Sequence, residues 1–514
     1  MSTAAEIEPL LDHNSLEPPR LETDHRLSKP LKRLLRVLPF LILYQTRTQV
    51  KLFQNWVTYS CRPLQGTIYH PTSAQSSLQY PGVPPFCKIG SLDLATVCTI
   101  VHFVAVVISV GFWGRLGDHL QSRKLVLLVI LSGLILFDLT TILVVKLSLP
   151  EPPVIWLLFE AAYDGLFGGS AAVYALLRAF AVDFSLPNQR AILFTVLQGF
   201  SIVGNIVGGL LFSLLFNSPL FDGDHSVSAV RLAVFAFIVS VINTFYVAAC
   251  LPKTPPTSTD RNITSSNFIF TALSPFTTFA STAKMGLLGL ATLALSMTSS
   301  DSIRKLLFSL QYVHHPVIDQ CLFIILFVVQ IIGTFVIVPV LITHCRVTRT
   351  TSIVASNRLL ATMIGFWTTI SNLLAFIPSP HGVAFILFGV YTPAFVLDGL
   401  MSLLFTIGTM YFDAVGRSQE IGFLLSAMAG LQSFGGVLFY YVSLAITRHP
   451  LSGPKSAFLL TPGLLAITTF SLFLLRGWET PDRHVLVESP EETSALPAPA
   501  EEENVRPNSS RAGV

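Results

Sequence analysis

The chain reads GRLGDHLQSRK from Gly114 to Lys124, a short polar stretch between two long apolar runs. One apolar run ends near Trp113 and the next begins at Leu125. A backbone that crosses lipid must satisfy its polar groups within a helix, so a loop with glycine, aspartate and clustered basic residues belongs at a membrane face. The stretch therefore predicts two spanning helices joined by a tight turn.

The composition is that of a membrane protein. Hydrophobic residues make up 52% of the 514 residues and charged residues 12%, whereas a soluble protein carries about 25% charged residues. The mean hydropathy is +0.64. Such a chain cannot cover a water-facing surface, so lipid is its expected partner. The net charge of +3 gives no indication of nucleic acid, and a monomer without a nucleic-acid partner is expected.

Twelve runs are long and apolar enough to cross a membrane, which takes about 20 residues in a helix. We number them span 1 to span 12; they cover residues 34–58, 91–113, 125–147, 154–178, 191–216, 229–251, 284–304, 317–342, 353–377, 382–411, 420–446 and 456–476. Span 1 is interrupted by the polar stretch Tyr44–Gln49. The predicted fold class is an all-α integral membrane protein with twelve transmembrane helices.

A polar segment near the middle divides the spans into two sets. Residues 252–283 are rich in threonine, serine and proline and predict a linker between six-helix bundles at 34–251 and 284–476. Two six-helix halves are typical of secondary transporters built from repeats. The tails 1–33 and 477–514 hold few aromatic residues and are predicted to be disordered.

Lysine and arginine are concentrated in the N-terminal flank and in the loops after spans 2 and 8. Under the positive-inside rule this places both termini and the linker in the cytoplasm. The sequons at Asn262 and Asn508 would then be cytoplasmic and unused. The stretch Glu6–Leu11 resembles an acidic dileucine sorting signal, so the expected location is the plasma membrane or the vacuolar membrane.

Two cysteines bracket the polar segment after span 1. Cys61 and Cys87 stand at the ends of the proline-containing stretch 62–86. They are a candidate disulfide if this stretch faces an oxidising compartment, where closing the loop would stabilise the fold by roughly 3 kcal/mol. No cysteine or histidine spacing suggests a metal site, and no cofactor is expected.

The opening stretch resembles the G-x-L-x-D-x-x-G-R-[KR]-[KR] loop between helices 2 and 3 of major facilitator superfamily transporters. The matching residues are Gly114, Leu116, Asp118, Arg123 and Lys124. Gln121 and Ser122 replace the glycine and arginine of the pattern. The resemblance covers residues 34–476.

The resemblance implies a cytoplasmic gate formed by Gly114, Asp118 and Arg123. A carboxylate at this position can pair with a basic residue such as Arg178 and with the positive N-terminus of a helix. In the family the aspartate contacts the start of helix 11, which corresponds to residues 416–420. The alternative is a solvated turn whose basic residues only set the orientation.

Charged residues also occur within the spans. Arg47 and Lys51 in span 1 are four residues apart, as are Glu160 and Asp164 in span 4, so each pair shares one helix face. A charge at the bilayer centre costs about 2.5–3.5 kcal/mol, which favours a shared cavity that binds substrate and protons. Asp398 in span 10 is a further cavity candidate. Lys51 and Glu160 could instead lie at the outer interface.

Other polar residues within the spans have two interpretations each. Asp138 is a candidate for the cavity or for packing, and His102 is expected to be a helix–helix contact. Asn205 and Gln432 could line a pore or form hydrogen bonds between helices.

The first loop and the stretch Asp183–Ala191 resemble fungal relatives of the proton-coupled folate transporter and of tetracycline-efflux carriers. This resemblance implies proton-coupled efflux of a drug-like molecule or secondary metabolite by alternating access. A proton-coupled importer of a small organic nutrient and a non-transporting transceptor are the alternatives. The chain contains no P-loop, G-x-S-x-G or HExxH motif, so enzyme activity is not expected.

Overall fold

The computed structural model describes residues 35–60, 88–89, 92–147, 154–216, 225–253, 276–298, 325–347, 352–377, 388, 391–448 and 460–475. The candidate disulfide Cys61–Cys87, both sequons and the dileucine stretch lie outside these residues. So do both tails and most of the linker, and the predictions on them stay predictions.

The described chain before the linker is helical apart from a short antiparallel hairpin, β1 Lys88–Ile89 and β2 Leu92–Asp93. Its helices are α1 Val37–Ser60, α2 Leu94–His119, α3 Arg123–Leu147, α4 Val154–Leu166, α5 Gly169–Asp183, α6 Arg190–Phe216 and α7 His225–Cys250. We refer to α1–α7 as the first half.

After the linker, the helices are α8 Thr277–Ala280, α9 Ala283–Met297, α10 Val338–Val347, α11 Ile353–Leu374, α12 Thr392–Ala414, α13 Ile421–Arg448 and α14 Leu460–Leu474. A π-helical turn, Gly333–Ile337, precedes α10 within the span Ile325–Arg346. We refer to α8–α14 as the second half.

Each predicted span overlaps a described helix, although parts of spans 7, 8, 10 and 12 lie outside the described residues. Among the described residues, eight helices are long and apolar enough to cross a membrane, and α9 and α14 are shorter apolar helices. Span 4 is divided into α4 and α5. Many large apolar side chains point outward, including Ile155, which is 79% exposed, and Phe245, which is 74% exposed. Contact of such side chains with lipid tails is favourable, whereas their contact with water would be unfavourable.

The core is continuous across the two halves. Within the first half, α1 packs on α6 and α7, and α2 packs on α4; within the second, α13 and α14 pack on α9. Between the halves, α13 contacts α2 and α5, and α12 contacts α6. Phe180 of α5 and Phe405 of α12 are fully buried in this core.

Candidate functional site

The turn between α2 and α3 joins the first half to the second. We refer to the end of the bundle that holds this turn, residues 120–122, as the loop end. Asp118, in the last turn of α2, accepts hydrogen bonds from the backbone N–H groups of Gly422 at 3.1 Å and Phe423 at 2.8 Å. The first N–H groups of a helix have no acceptor within the helix, and the helix dipole at this end of α13 also favours a negative charge.

Arg123 completes this contact, which we call the latch. Its guanidinium forms an ion pair with Asp118 and lies 3.4 Å from Oδ2 of Asp183 at the end of α5. The side chains of Asp118 and Arg123 are each 9% exposed, so water screens their attraction little. The latch contact lies just beyond the predicted segment 416–420.

Close packing at the latch depends on Gly114. A Cβ atom on Gly114 would lie 2.6 Å from the carbonyl oxygen of Gly422, so α2 and α13 approach as closely as the glycine allows. Gln121 adopts a left-handed backbone with φ of 48°, at the position where the family pattern has glycine. The turn therefore has a left-handed residue with a side chain, a conformation that costs about 1–2 kcal/mol relative to glycine.

Two further contacts cross between the halves at the loop end. Arg190, at the start of α6, forms an ion pair with Asp413 near the end of α12. Arg346 donates to the backbone carbonyl of Asn188. Together with the latch, these contacts join the two halves at the loop end.

Arg178 does not pair with Asp118, contrary to the predicted gate. Arg123 and the N-terminus of α13 already occupy the oxygens of Asp118, and Arg178 lies five residues before the end of α5. Its guanidinium lies 3.3 Å from Oε1 of Gln198 and 3.5 Å from Oε1 of Gln432. Its Cζ lies 3.8 Å from the centre of the Phe405 ring.

Gln198 continues this contact to a carboxylate of the second half. Its Nε2 donates to Oδ1 of Asp398 at 3.3 Å, and Gln330 donates to Oδ2. Asp398 is 9% exposed and Gln330 is 1% exposed. We refer to Arg178, Gln198, Gln330, Asp398 and Gln432 as the inter-half network, because both halves contribute to it.

A second polar group adjoins this network in the first half. Tyr174 of α5 forms hydrogen bonds with Gln45 of α1 and Ser201 of α6, and Gln45 donates to Asn205. Asn205 therefore makes a contact between helices α1 and α6. The ring of Tyr174 also lies 5.9 Å from Cζ of Arg178, which connects the two groups.

The charges of span 1 lie inside the first half. Arg47 donates to Asp138 of α3 at 2.6 and 3.1 Å, and Lys51 lies 2.9 Å from Glu160 of α4 and 3.9 Å from Asp138. Ser240 of α7 also donates to Asp138, at 2.6 Å. We refer to Arg47, Lys51, Asp138 and Glu160 as the charged quartet. Its side chains are at most 8% exposed and its formal charges cancel.

Asp164, which the sequence groups with these residues, has a different ion-pair partner. Its Oδ2 lies 3.3 Å from Nδ1 of His102 on α2, and the two side chains are 30% and 25% exposed. His102 therefore joins α2 to α4, which agrees with the expected helix–helix contact.

The break between α4 and α5 begins two residues after Asp164. Gly168 and Gly169 have positive φ angles of 78° and 49°, a left-handed conformation that side chains disfavour. The carbonyl groups released by the break accept from side chains of α2: Ser109 donates to Gly165 at 2.7 Å and Trp113 donates to Leu166 at 2.9 Å. Broken helices in transporters commonly mark binding sites.

Sequence reasoning does not identify Gln198 and Gln330 as parts of a site, and it does not pair Asp138 with Arg47. The pairing of Arg47 with Asp138 joins residues 91 positions apart, and local spacing carries no signal for it. In the described part of the chain, no three His, Cys, Asp or Glu side chains are arranged to hold a metal ion.

Neither a protein-family model nor a curated protein matches the sequence. Solved structures do match the fold. The human organic anion transporter MFSD10 (TETRAN) is 13% identical with a TM-score of 0.60, covering 87% of this chain and 100% of that one. The Escherichia coli fucose:proton symporter FucP is 12% identical with a TM-score of 0.60, covering 87% and 99%.

A third match is a bacterial homologue of the iron transporter ferroportin in an outward-facing state. It is 12% identical with a TM-score of 0.57 and covers 86% of this chain and 99% of that one. The chain has the major facilitator fold. The predicted all-α, multi-pass membrane architecture is confirmed. At sequence identities of 11–13%, these matches show that the fold is shared and nothing beyond the fold. The inter-half network lies between the two halves of this fold.

Proposed function

We propose that this protein is a secondary transporter that moves a small organic molecule across a membrane by alternating access. The inter-half network carries this proposal. Arg178 and Gln198 of the first half and Asp398 and Gln432 of the second form one polar group, buried at Arg178 and Asp398 and half-buried at the two glutamines, that rocking of the halves would divide. A purely structural interface in lipid has little need of two opposite charges bridged by an amide.

The latch supports the second element of the proposal, a gate. It closes the loop end through hydrogen bonds between Asp118 and the first turn of α13, which a rocking motion can break without unfolding either half. We infer that the loop end faces the cytoplasm, as the basic residues of the sequence predict. The described conformation is then closed to the cytoplasm, with the opposite end available for release.

We propose protons as the coupling ion and Asp164 as their site, with His102 as its partner. The pair is about one-quarter to one-third exposed, and it lies beside the break between α4 and α5. A carboxylate attracts an N–H group of an imidazole, and adding a proton to the carboxylate weakens that attraction. Proton binding can thereby loosen the contact between α2 and α4.

We propose efflux as the direction and a drug-like molecule or secondary metabolite as the cargo, at the plasma or vacuolar membrane. The support is the resemblance of Asp183–Ala191 and of the cysteine-bracketed loop to fungal exporters. Proton entry would drive export, since each elementary charge gains about 2.3 kcal/mol per 100 mV.

The test is transport in vesicles that contain the purified full-length protein, a trapped pH indicator and an imposed pH gradient. A panel of fungal metabolites is offered, and substrate and proton movements are recorded together. The expected result is opposite movement of the two. In Asp164→Asn, proton movement should stop, whereas Glu501→Gln, in the tail beyond span 12, should behave as wild type.

The other outcomes separate the alternatives. Movement of substrate and protons in the same direction would make the protein an importer. A substrate-induced conformational change without transport would make it a transceptor. Proton movement that persists in Asp164→Asn would remove the proposed proton site.

A further inference from the structure

Arg178 differs from the other buried arginines of the described chain. Three of these, Arg47, Arg123 and Arg190, form ion pairs with aspartates. Arg178 is equally buried, at 3% exposure, yet its hydrogen bonds go to two neutral glutamine oxygens at 3.3 and 3.5 Å. A buried guanidinium gains most from a carboxylate, which accepts two parallel charge-assisted hydrogen bonds.

We propose that Arg178 binds the carboxylate of a monoanionic organic substrate. This proposal rests on the proposed transport function and names the class of its cargo. Before substrate binds, Gln198 and Gln432 hold the guanidinium with weaker hydrogen bonds. On binding, the carboxylate oxygens of the substrate replace the glutamine oxygens as acceptors for Arg178. The two glutamines lie on different halves, so this exchange removes a contact between the halves.

The surroundings of Arg178 select the rest of the substrate. Phe405 lies against the guanidinium at 3.8 Å, and Phe335 of the π-helical turn packs against Phe200 with ring centres 5.2 Å apart. Gly199, next to Gln198, brings α6 onto Phe335, since a Cβ there would lie 2.6 Å from its ring. These rings offer contact to an aromatic or alkyl body.

Asp398 sets the charge limit. It is held by Gln198 and Gln330, one amide group away from Arg178. A second negative charge on the substrate would face this carboxylate at low dielectric and be repelled. A hydroxyl or ammonium group could donate to Asp398 instead. The preferred cargo is thus an organic acid with one net negative charge at most.

The experiment uses matched triplets of an acid, its primary amide and the corresponding amine on a phenyl, naphthyl or linear alkyl body. Binding to the purified full-length protein in detergent is measured by titration at neutral pH. The acid of at least one triplet should bind about 100-fold more tightly than its amide, the range expected for a buried charge pair. Arg178→Gln should remove this preference, and Arg178→Lys should recover part of it.

Arg358→Gln is the control, because Arg358 lies on α11, which contributes no residue to the inter-half network, and donates to the backbone carbonyl of Leu475 just after α14. It should keep the preference for acids. Equal binding of acids and amides, an acid preference that survives in Arg178→Gln, or no binding of any acid to the wild type would each overturn the proposal.

The vesicle assay separates this proposal from the transport function. Transport of neutral or cationic compounds that is insensitive to Arg178→Gln would leave the transporter standing and refute the anion site. Acids that bind through Arg178 without crossing the membrane would support the site and refute transport.

Discussion

The charged quartet and the inter-half network both bury charges at membrane depth, yet their partners differ. In the quartet, Arg47 and Lys51 each have a carboxylate within 2.9 Å, all from helices of the first half. In the network, Arg178 and Asp398 come from different halves and are separated by the amide of Gln198. Charges paired inside one half stabilise that half, whereas charges bridged by an amide between halves remain available for a ligand.

The largest expected effect comes from breaking the quartet. Asp138→Asn leaves Arg47 without its carboxylate, and removing one partner of a buried pair costs about 3–5 kcal/mol. We expect a large fall in the thermal unfolding temperature of the purified protein and poor recovery from membranes. The double variant Arg47→Met with Asp138→Leu should recover most of the stability, because an apolar pair needs no compensation. If the double variant were as unstable as the single one, the pair would stabilise the fold beyond neutralising its two buried charges.

The second effect is at the latch. Asp118→Asn removes the ion pair with Arg123 and weakens two backbone hydrogen bonds, which are worth about 1.5–3 kcal/mol each when the acceptor is charged. Transport turnover should change at least several-fold while substrate affinity changes little, because the latch lies away from the network. Turnover in vesicles and binding in detergent measure the two. Unchanged turnover would reduce the latch to a surface turn.

A smaller effect is expected where α1 and α6 pack. A Cβ on Gly208 would lie 2.9 Å from the carbonyl oxygen of Thr46, whereas one on Gly209 would meet nothing within 4 Å. Gly208→Ala should destabilise the protein by about 1–3 kcal/mol through overpacking, and Gly209→Ala should not. Thermal unfolding of the two variants side by side is the measurement. Equal unfolding temperatures would mean that α1 and α6 can separate at no cost.

The smallest effect on stability is expected at Arg178. A buried charge in the membrane costs about 2.5–3.5 kcal/mol, and Arg178→Gln removes this cost. The same change also loses a cation–π contact that stabilises the protein by about 2 kcal/mol. The two nearly cancel, so the unfolding temperature should stay close to that of the wild type. A fall as large as that of Asp138→Asn would place Arg178 among the structural charges.

The sequence predicts the helices and the latch better than the partners of buried charges. Apolar runs set the spans, and Gly114, Asp118 and Arg123 lie in a local motif. The pairing of Arg47 with Asp138 and the bridge through Gln198 depend on how distant helices pack, which spacing along the chain does not encode. The break after Asp164 has a local signal in Gly168 and Gly169. A search for apolar runs of about 20 residues misses it, because the run continues through the break as span 4.

Motion of the halves about the latch is central to the proposed transport cycle, and a distance measurement tests this motion most directly. Leu186, between α5 and α6, and Val415, after α12, are 62% and 52% exposed at the loop end of opposite halves. Spin labels at these positions, in a full-length chain whose six native cysteines are replaced, report the separation of the halves in vesicles. We predict a short distance population together with a longer one that grows in Asp118→Asn. A single short population, unchanged by Asp118→Asn and by substrate, would contradict alternating access.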